Sequence, residues 1–105
     1  QHQAIQFMLA DMKTKIEASR MLTWKSASES DAGIRNTESA AHAKRFAADT
    51  AMEVSTDAVQ VYGGYGYSEE YPVAQLMRAA KVMQIYEGSS QVQRMIIGRE
   101  ITKDI

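Results

Sequence analysis

Cysteine is absent from the 105 residues. That excludes disulfides, thiolate catalysis and thiolate metal sites, and is compatible with a reducing compartment. Only two histidines occur, His2 and His42. They stand too far apart in sequence to form a local ligand pair, so no metal site is expected. Neither sign of charge dominates: 12 Lys and Arg face 13 Asp and Glu, a formal net charge of −1. Nucleic acid and acidic membrane surfaces are therefore not expected as partners. No apolar run approaches the roughly 20 residues a membrane span needs, and no signal or transit peptide is recognisable. A starting methionine is also lacking. The chain opens Gln1-His2-Gln3 and is already helical in pattern there, which reads as a piece of a longer protein. The length allows one domain with a modest core.

What is present is helical periodicity. From Gln3 to Ser28 there is no Pro or Gly, and Ile5, Met8, Leu9, Met12 and Ile16 recur at steps of three and four, one apolar stripe. The stretch from Ser28 to Gly33 reads as a loop. Asn36 or Thr37 suits the N-cap of a second helix running to Tyr62 and closed by Gly63. It would be roughly 38 Å long, with an inner face of Ala43, Phe46, Ala47, Val54, Ala58 and Val61. The segment Gly63-Gly64-Tyr65-Gly66-Tyr67 is not expected to be regular structure. Pro72 suits the first turn of a third helix, Val73 to about Ile85. Ser90 followed by Gln93 has the spacing of a capping box opening a fourth helix to about Thr102. Val92, Met95, Ile96 and the stem of Arg99 would face inward. The expectation is an all-α, up-down bundle of four helices.

Two segments are unusual for a plain bundle. Glycines 63, 64 and 66 after a helix would let another molecule approach the backbone, whose exposed amides suit phosphate. The plain reading is a helix C-cap followed by a flexible turn. The order is not that of a dinucleotide-binding fold, whose glycine turn leads from strand to helix. The second segment, Ile85 to Arg94, places Glu87 at a break between helices. A carboxylate there can simply complement the positive end of the fourth helix. It can also project into a cleft and act as a general base once water leaves. Asp49, Glu53 and Asp57 fall on one face of the second helix, with Arg45 one turn before Asp49, and read as a solvated charged face. Glu69 and Glu70 read as loop solvation, and the seven methionines as core filler.

Taken together, Gln1 to Met12, Asp57 to Tyr67, Leu76 to Lys81 and Ile85 to Arg94 resemble the acyl-CoA dehydrogenase family across essentially the whole chain. The resemblance implies the C-terminal helical domain of such an enzyme over residues 1–105, without the domain's first long helix and without the N-terminal helical and middle β domains. It implies α,β-dehydrogenation of acyl-CoA thioesters to trans-2-enoyl-CoA. The base, Glu87, takes the α-proton while the β-hydrogen leaves as hydride to the N5 of FAD. The Glu87 N–H would hydrogen-bond the thioester carbonyl, and Tyr86 and Gly88 would border the acyl and thioester groups. His2, Gln3, Gln60, Gly63 and Gly64 match positions that help a neighbouring subunit bind FAD. Ser89 and Gln91 match positions on the flavin side of the chain's own site. Arg35 and Thr37 match positions near the CoA nucleotide. At Gly64 a branched side chain is expected to obstruct close approach, and tolerance of positive φ is expected to matter.

The implied partners are the acyl-CoA substrate, further copies of the chain (a tetramer in the parent protein) and an electron-transfer flavoprotein. The implied compartment is a bacterial cytoplasm or a mitochondrial matrix. Two positions depart from the family pattern. Ser89 stands where threonine is common and keeps the hydroxyl. Ala79 stands where aspartate is common, which leaves Arg78 without its expected neighbour. An acyl-CoA oxidase would share the Glu87 chemistry but pass electrons to oxygen. A non-catalytic helical interaction module would explain the bundle but neither unusual segment.

Overall fold

The structure, a computed structural model, describes residues 3–104. Five helices follow one another: α1 Gln3–Asp31, α2 Thr37–Tyr62, α3 Gly64–Tyr67, α4 Pro72–Met83 and α5 Ser90–Thr102. There is no strand among the described residues. The bundle is all-helical, as its periodicity predicts, but it has five helices where four are expected.

Helix α2 is the centre; it packs against each of the other four, while α1 packs only on α2. The pairs Lys15–Glu53, Glu29–Ser39 and Asn36–Ser26 set the register of α1 against α2. Lys15 pairs far along α2 at Glu53 while Glu29 pairs near its start at Ser39, so the two helices run antiparallel. The core that results is built from small residues. Ala41, Ala43, Ala48 and Ala80 are its buried apolar members, joined by buried Ser39 and Thr50. Small side chains let neighbouring helices approach α2 closely, at the cost of little apolar volume per residue. The expected inner face is therefore corrected. Ala43 is buried, Phe46 is exposed, and Ala47, Val54, Ala58 and Val61 are half-buried. On α5, Val92, Met95 and Arg99 are exposed instead of facing inward, and only Ile96 of the four is half-buried.

The ends of the helices are set by local chemistry. Helix α1 continues through Ser28-Glu29-Ser30 to Asp31, where a loop is expected. The Ser39 hydroxyl bonds to Glu29, and the Asn36 side-chain amide donates to both Ser26 O and Ser26 Oγ at 3.1 Å. These tertiary bonds occupy polar groups that would otherwise compete with the helix. Asn36 is the α2 N-cap residue, but its side chain makes no capping bond. Gly63 ends α2 with φ +66, as its position predicts. The next four residues form the short helix α3, so Gly64–Tyr67 is regular after all. Pro72 opens α4, which ends at Met83, two residues before the expected Ile85.

Candidate functional site

The connection between α4 and α5, residues 84–89, holds two of the four positive-φ residues among those described. Glu87 has φ +53, the one non-glycine residue with positive φ among those described, and Gly88 follows with φ +93. A glutamate in the left-handed region costs about 1–3 kcal/mol and persists only where its surroundings over-determine it. Those surroundings are visible. The Ser90 N–H donates to Gln84 O at 3.0 Å and closes the connection into a loop. Gln84 Nε2 and Ser90 Oγ both donate to Asp49 Oδ1 at 2.8 Å. Gln93 Nε2 donates to Gly88 O at 3.2 Å. The expected cap therefore shifts by one residue: Ser89 is the N-cap, its Oγ accepting from Val92 N at 3.2 Å. Ser90 is freed to reach Asp49, and Gln93 reaches Gly88. Asp49 is thus corrected from a solvated carboxylate to a clasp between helices. Glu53 stays on the solvated face and pairs there with Lys15 of α1.

The loop lies between two clefts. One, of about 340 Å³, is lined by Thr23, Ala43, Lys44, Ala48, Tyr86 and Glu87, with Ala47 and Met83. Its walls are small and largely apolar around a single carboxylate. Lys44 Nζ donates to Met83 O at 2.5 Å and stands 5.8 Å from the centroid of the Tyr86 ring. A cation thereby satisfies the carbonyl end of α4 and steadies Tyr86 at once. The second cleft, of about 450 Å³, takes Ser89, Ser90 and Gln91 with Arg45, Lys81, Arg94 and Asp49 on its walls. Three cations against one carboxylate make it favourable for negative charge. Among the described residues, the main-chain N–H groups of Glu87, Gly88 and Ser89 have no internal acceptor. Consecutive amides left free in this way are available to an external oxygen.

The remaining expected site residues fall into two further places. Gln60, Gly63 and Gly64 are exposed at the end of α2, and antiparallel packing brings exposed Gln3 of α1 to the same end. A Cβ on Gly63 or Gly64 would meet nothing within 4 Å, so their backbone is open to a ligand. The positive φ belongs to Gly63, not to Gly64. His2 lies outside the described residues. At about 1.5 Å per residue along α2, Gly63 stands about 22 Å from Ala48 in the Glu87 cleft. The two groups therefore do not converge on one point within this chain. Arg35 and Thr37 flank the start of α2, and the Arg35 guanidinium grips Glu100 of α5 with both terminal nitrogens. That pairing holds the Glu100 carboxyl below its ordinary value and the Arg35 guanidinium above its own. Among the described residues no cluster of three or more acidic or histidine side chains could hold a metal. No described helix is long and apolar enough to cross a membrane.

Sequence reasoning missed Lys44, Thr23 and Asp49 as members of this neighbourhood. Nothing local marks them; they become neighbours of Glu87 only when α1 and α4 pack on α2.

Comparison with known proteins places the geometry in context. The family model described as acyl-CoA dehydrogenase, C-terminal domain, matches residues 1–102. A cyclohexane-1-carbonyl-CoA dehydrogenase of Geobacter metallireducens is 52% identical over 104 residues, 99% of this chain and 27% of that protein. The solved structure of butyryl-CoA dehydrogenase from Megasphaera elsdenii superposes with TM-score 0.94 at 55% identity, covering 96% of this chain and 26% of the other. A chain in the solved structure of an electron transferring flavoprotein of Acidaminococcus fermentans superposes with TM-score 0.97 at 53% identity, covering 99% of this chain and 27% of the other. The chain thus spans about a quarter of the length of the relatives it matches.

Proposed function

The chain belongs to the acyl-CoA dehydrogenase family, as its C-terminal domain, and we propose that it carries the proton-abstracting side of a flavin-dependent α,β-dehydrogenation of acyl-CoA thioesters, with Glu87 as general base. The observation that carries this reading is the backbone of Glu87. It is a carboxylate held at φ +53 on a doubly anchored loop at the edge of an apolar cleft. Strain of that kind needs a reason, and aiming a base is one.

The chemistry follows from the chain's own groups. An acyl chain entering the cleft displaces water, and Glu87 takes the α-proton onto a carboxylate oxygen. The bonding pair left behind is drawn toward the thioester carbonyl, whose oxygen gains charge. The free Glu87 N–H donates to that oxygen and stabilises the enolate-like transition state. Tyr86 and Gly88 border the reacting groups. FAD, when bound, supplies the acceptor for the β-hydrogen. The residues present fit such a cofactor: Ser89 and Gln91 line the cationic cleft on the other side of the loop, where negative charge is favoured. Gln60, Gly63 and Gly64, with Gln3 and His2, would hold the flavin of a second copy, because they stand too far from Glu87 to serve its own. The protein is accordingly proposed as a homo-oligomer. Arg35 and Thr37 would meet the CoA nucleotide at the α2 N-terminus, a position suited to phosphate. An electron-transfer flavoprotein is the proposed electron acceptor and a bacterial cytoplasm the proposed compartment, in keeping with the bacterial relatives.

The test is Glu87→Gln in the flavin-loaded full-length protein. The amide keeps the shape and cannot take the proton, so turnover of acyl-CoA should fall by about 10²–10⁴ with flavin content unchanged. Turnover within a few-fold of the parent would exclude Glu87 as the base.

A further inference from the structure

We infer that Asp49 is a positioning residue for the base: it holds both ends of the loop that aims Glu87. The inference rests on the reading of Glu87 given above and extends it to a residue that touches no reacting atom. Asp49 lies on α2, the element packed against every other helix. A single oxygen, Oδ1, accepts from Gln84 at the end of α4 and from Ser90 at the start of α5, each at 2.8 Å. The five residues between those anchors include both positive-φ positions of the connection, Glu87 and Gly88. Gln84 and Ser90 are also joined to each other through the main chain at 3.0 Å. Asp49, Gln84 and Ser90 therefore close a triangle whose third corner belongs to the rigid central helix. Without Asp49 the other two corners would still meet, but of these side-chain ties to α2, whose Ala43 and Ala48 wall the Glu87 cleft, the loop would keep only that of Lys44 to Met83 O and the Tyr86 ring, with none at the α5 end.

The role assigned to Asp49 is that of a hydrogen-bond acceptor, not of a charge. Both bonds end on one oxygen, so an asparagine carbonyl can make both. That gives a discriminating set of variants in the flavin-loaded full-length protein. Asp49→Ala should lower kcat by about 10–100-fold, the scale of a misplacement of roughly 1 Å. KM for the acyl-CoA and flavin content should stay near the parent's. The kinetic isotope effect for substrate deuterated at the α-carbon should rise, because proton abstraction by a badly aimed base becomes more rate-limiting. A variant that merely reduced the folded fraction would lower kcat and leave the isotope effect where it was. Asp49→Asn should restore kcat to within a few-fold. The double variant Gln84→Ala, Ser90→Ala leaves Asp49 in place and removes its donors; it should reproduce the Asp49→Ala isotope effect, and it stands in should Asp49→Ala fail to fold. An unchanged isotope effect in the folded variants, or failure of Asn to restore the rate, overturns the assignment. The Glu87→Gln result separates the two readings. If that variant remains active, the base is elsewhere; if it is inactive while Asp49→Ala matches the parent, only the positioning role is lost.

Discussion

Gln93 occupies the space that a side chain on Gly88 would need: its Nε2 donates to Gly88 O at 3.2 Å and stands 2.5 Å from where a Gly88 Cβ would be. Gly88 also has φ +93, in the region where L side chains are strained. The amide end of Gln93 can swing away, so the backbone term decides. Gly88→Ala should cost about 1–2 kcal/mol of stability. It should also lower turnover by displacing Glu87, with flavin retained. Thermal unfolding and steady-state rates read the two effects. A variant equal to the parent in both would show that the loop relaxes without consequence for its neighbour.

The glycines of the α2–α3 corner should behave differently from one another. A Cβ on Gly66 would lie 2.5 Å from Val59 O and 2.6 Å from Tyr62 Cβ, both parts of α2 with little freedom to yield. Gly66→Ala should therefore destabilise by about 1–3 kcal/mol, the usual scale of overpacking. Gly64 meets nothing and has no positive φ. Gly64→Val should leave helicity and unfolding near the parent's while weakening FAD retention in the full-length protein, because the branched chain obstructs the open backbone. Equal flavin content in parent and Gly64→Val would remove this corner from the flavin site.

The same corner shows where the sequence was legible and where it was not. The bounds of α2 and α5 could be read from cap residues and periodicity, because Gly63 and Ser89 act within a turn of themselves, and Asn36 marks the start of α2 although its side chain bonds to Ser26 instead of capping. Helix α3 could not, because glycine propensity argues against a helix and only the fit of Gly66 against Val59 explains one. The overrun of α1 to Asp31 has a similar cause in the bonds from Ser39 and Asn36. Glu87 was visible as an odd carboxylate between helices, and the family resemblance marked it. Asp49 was not visible, since four-residue spacing tells which face of α2 it occupies but not which helix will cover that face.

Stability should respond to acid through Arg35 and Glu100. The Glu100 side chain is 7% exposed and paired with Arg35, with Lys103 nearby at 3.3 Å. Its carboxyl is held below the ordinary value, by the Arg35 hydrogen bond first. A depressed carboxylate contributes stability that is present above its unfolded pKa, about 4.3, and is lost as pH falls through the lower folded value. Arg35→Gln should therefore remove part of the pH dependence below the unfolded pKa and leave stability above it reduced. Unfolding midpoints measured across that range check it: parallel curves for parent and variant would show that the pair contributes nothing specific.

The chain on its own should associate and should not dehydrogenate acyl-CoA. A compact monomer of 11.7 kDa would expose about 5,900 Å² by the usual scaling of surface with mass. This chain exposes 7542 Å², an excess of about 1,600 Å² over that scaling. The shape agrees: the radius of gyration is 16.2 Å, against about 13 Å for a compact domain of this length. The excess is not merely polar fringe. Trp24, Met21, Phe7, Leu76 and Met95 are each more than half exposed, while the buried apolar residues are all alanines. If half the excess is apolar and becomes covered, the gain is about 20 kcal/mol at 25 cal/mol per Å². Association costs about 4–15 kcal/mol or more, so an apolar area of this size is what a stable association requires. A second copy is the partner at hand, since the Gly63 end and the Glu87 cleft of one chain already point to a site completed by another. Sedimentation of the purified chain at micromolar concentration decides the matter, and a single well-folded monomeric species would refute the association. A yellow preparation of the chain alone that oxidises acyl-CoA would refute the second half, which assumes that the relatives' other three quarters hold most of the flavin.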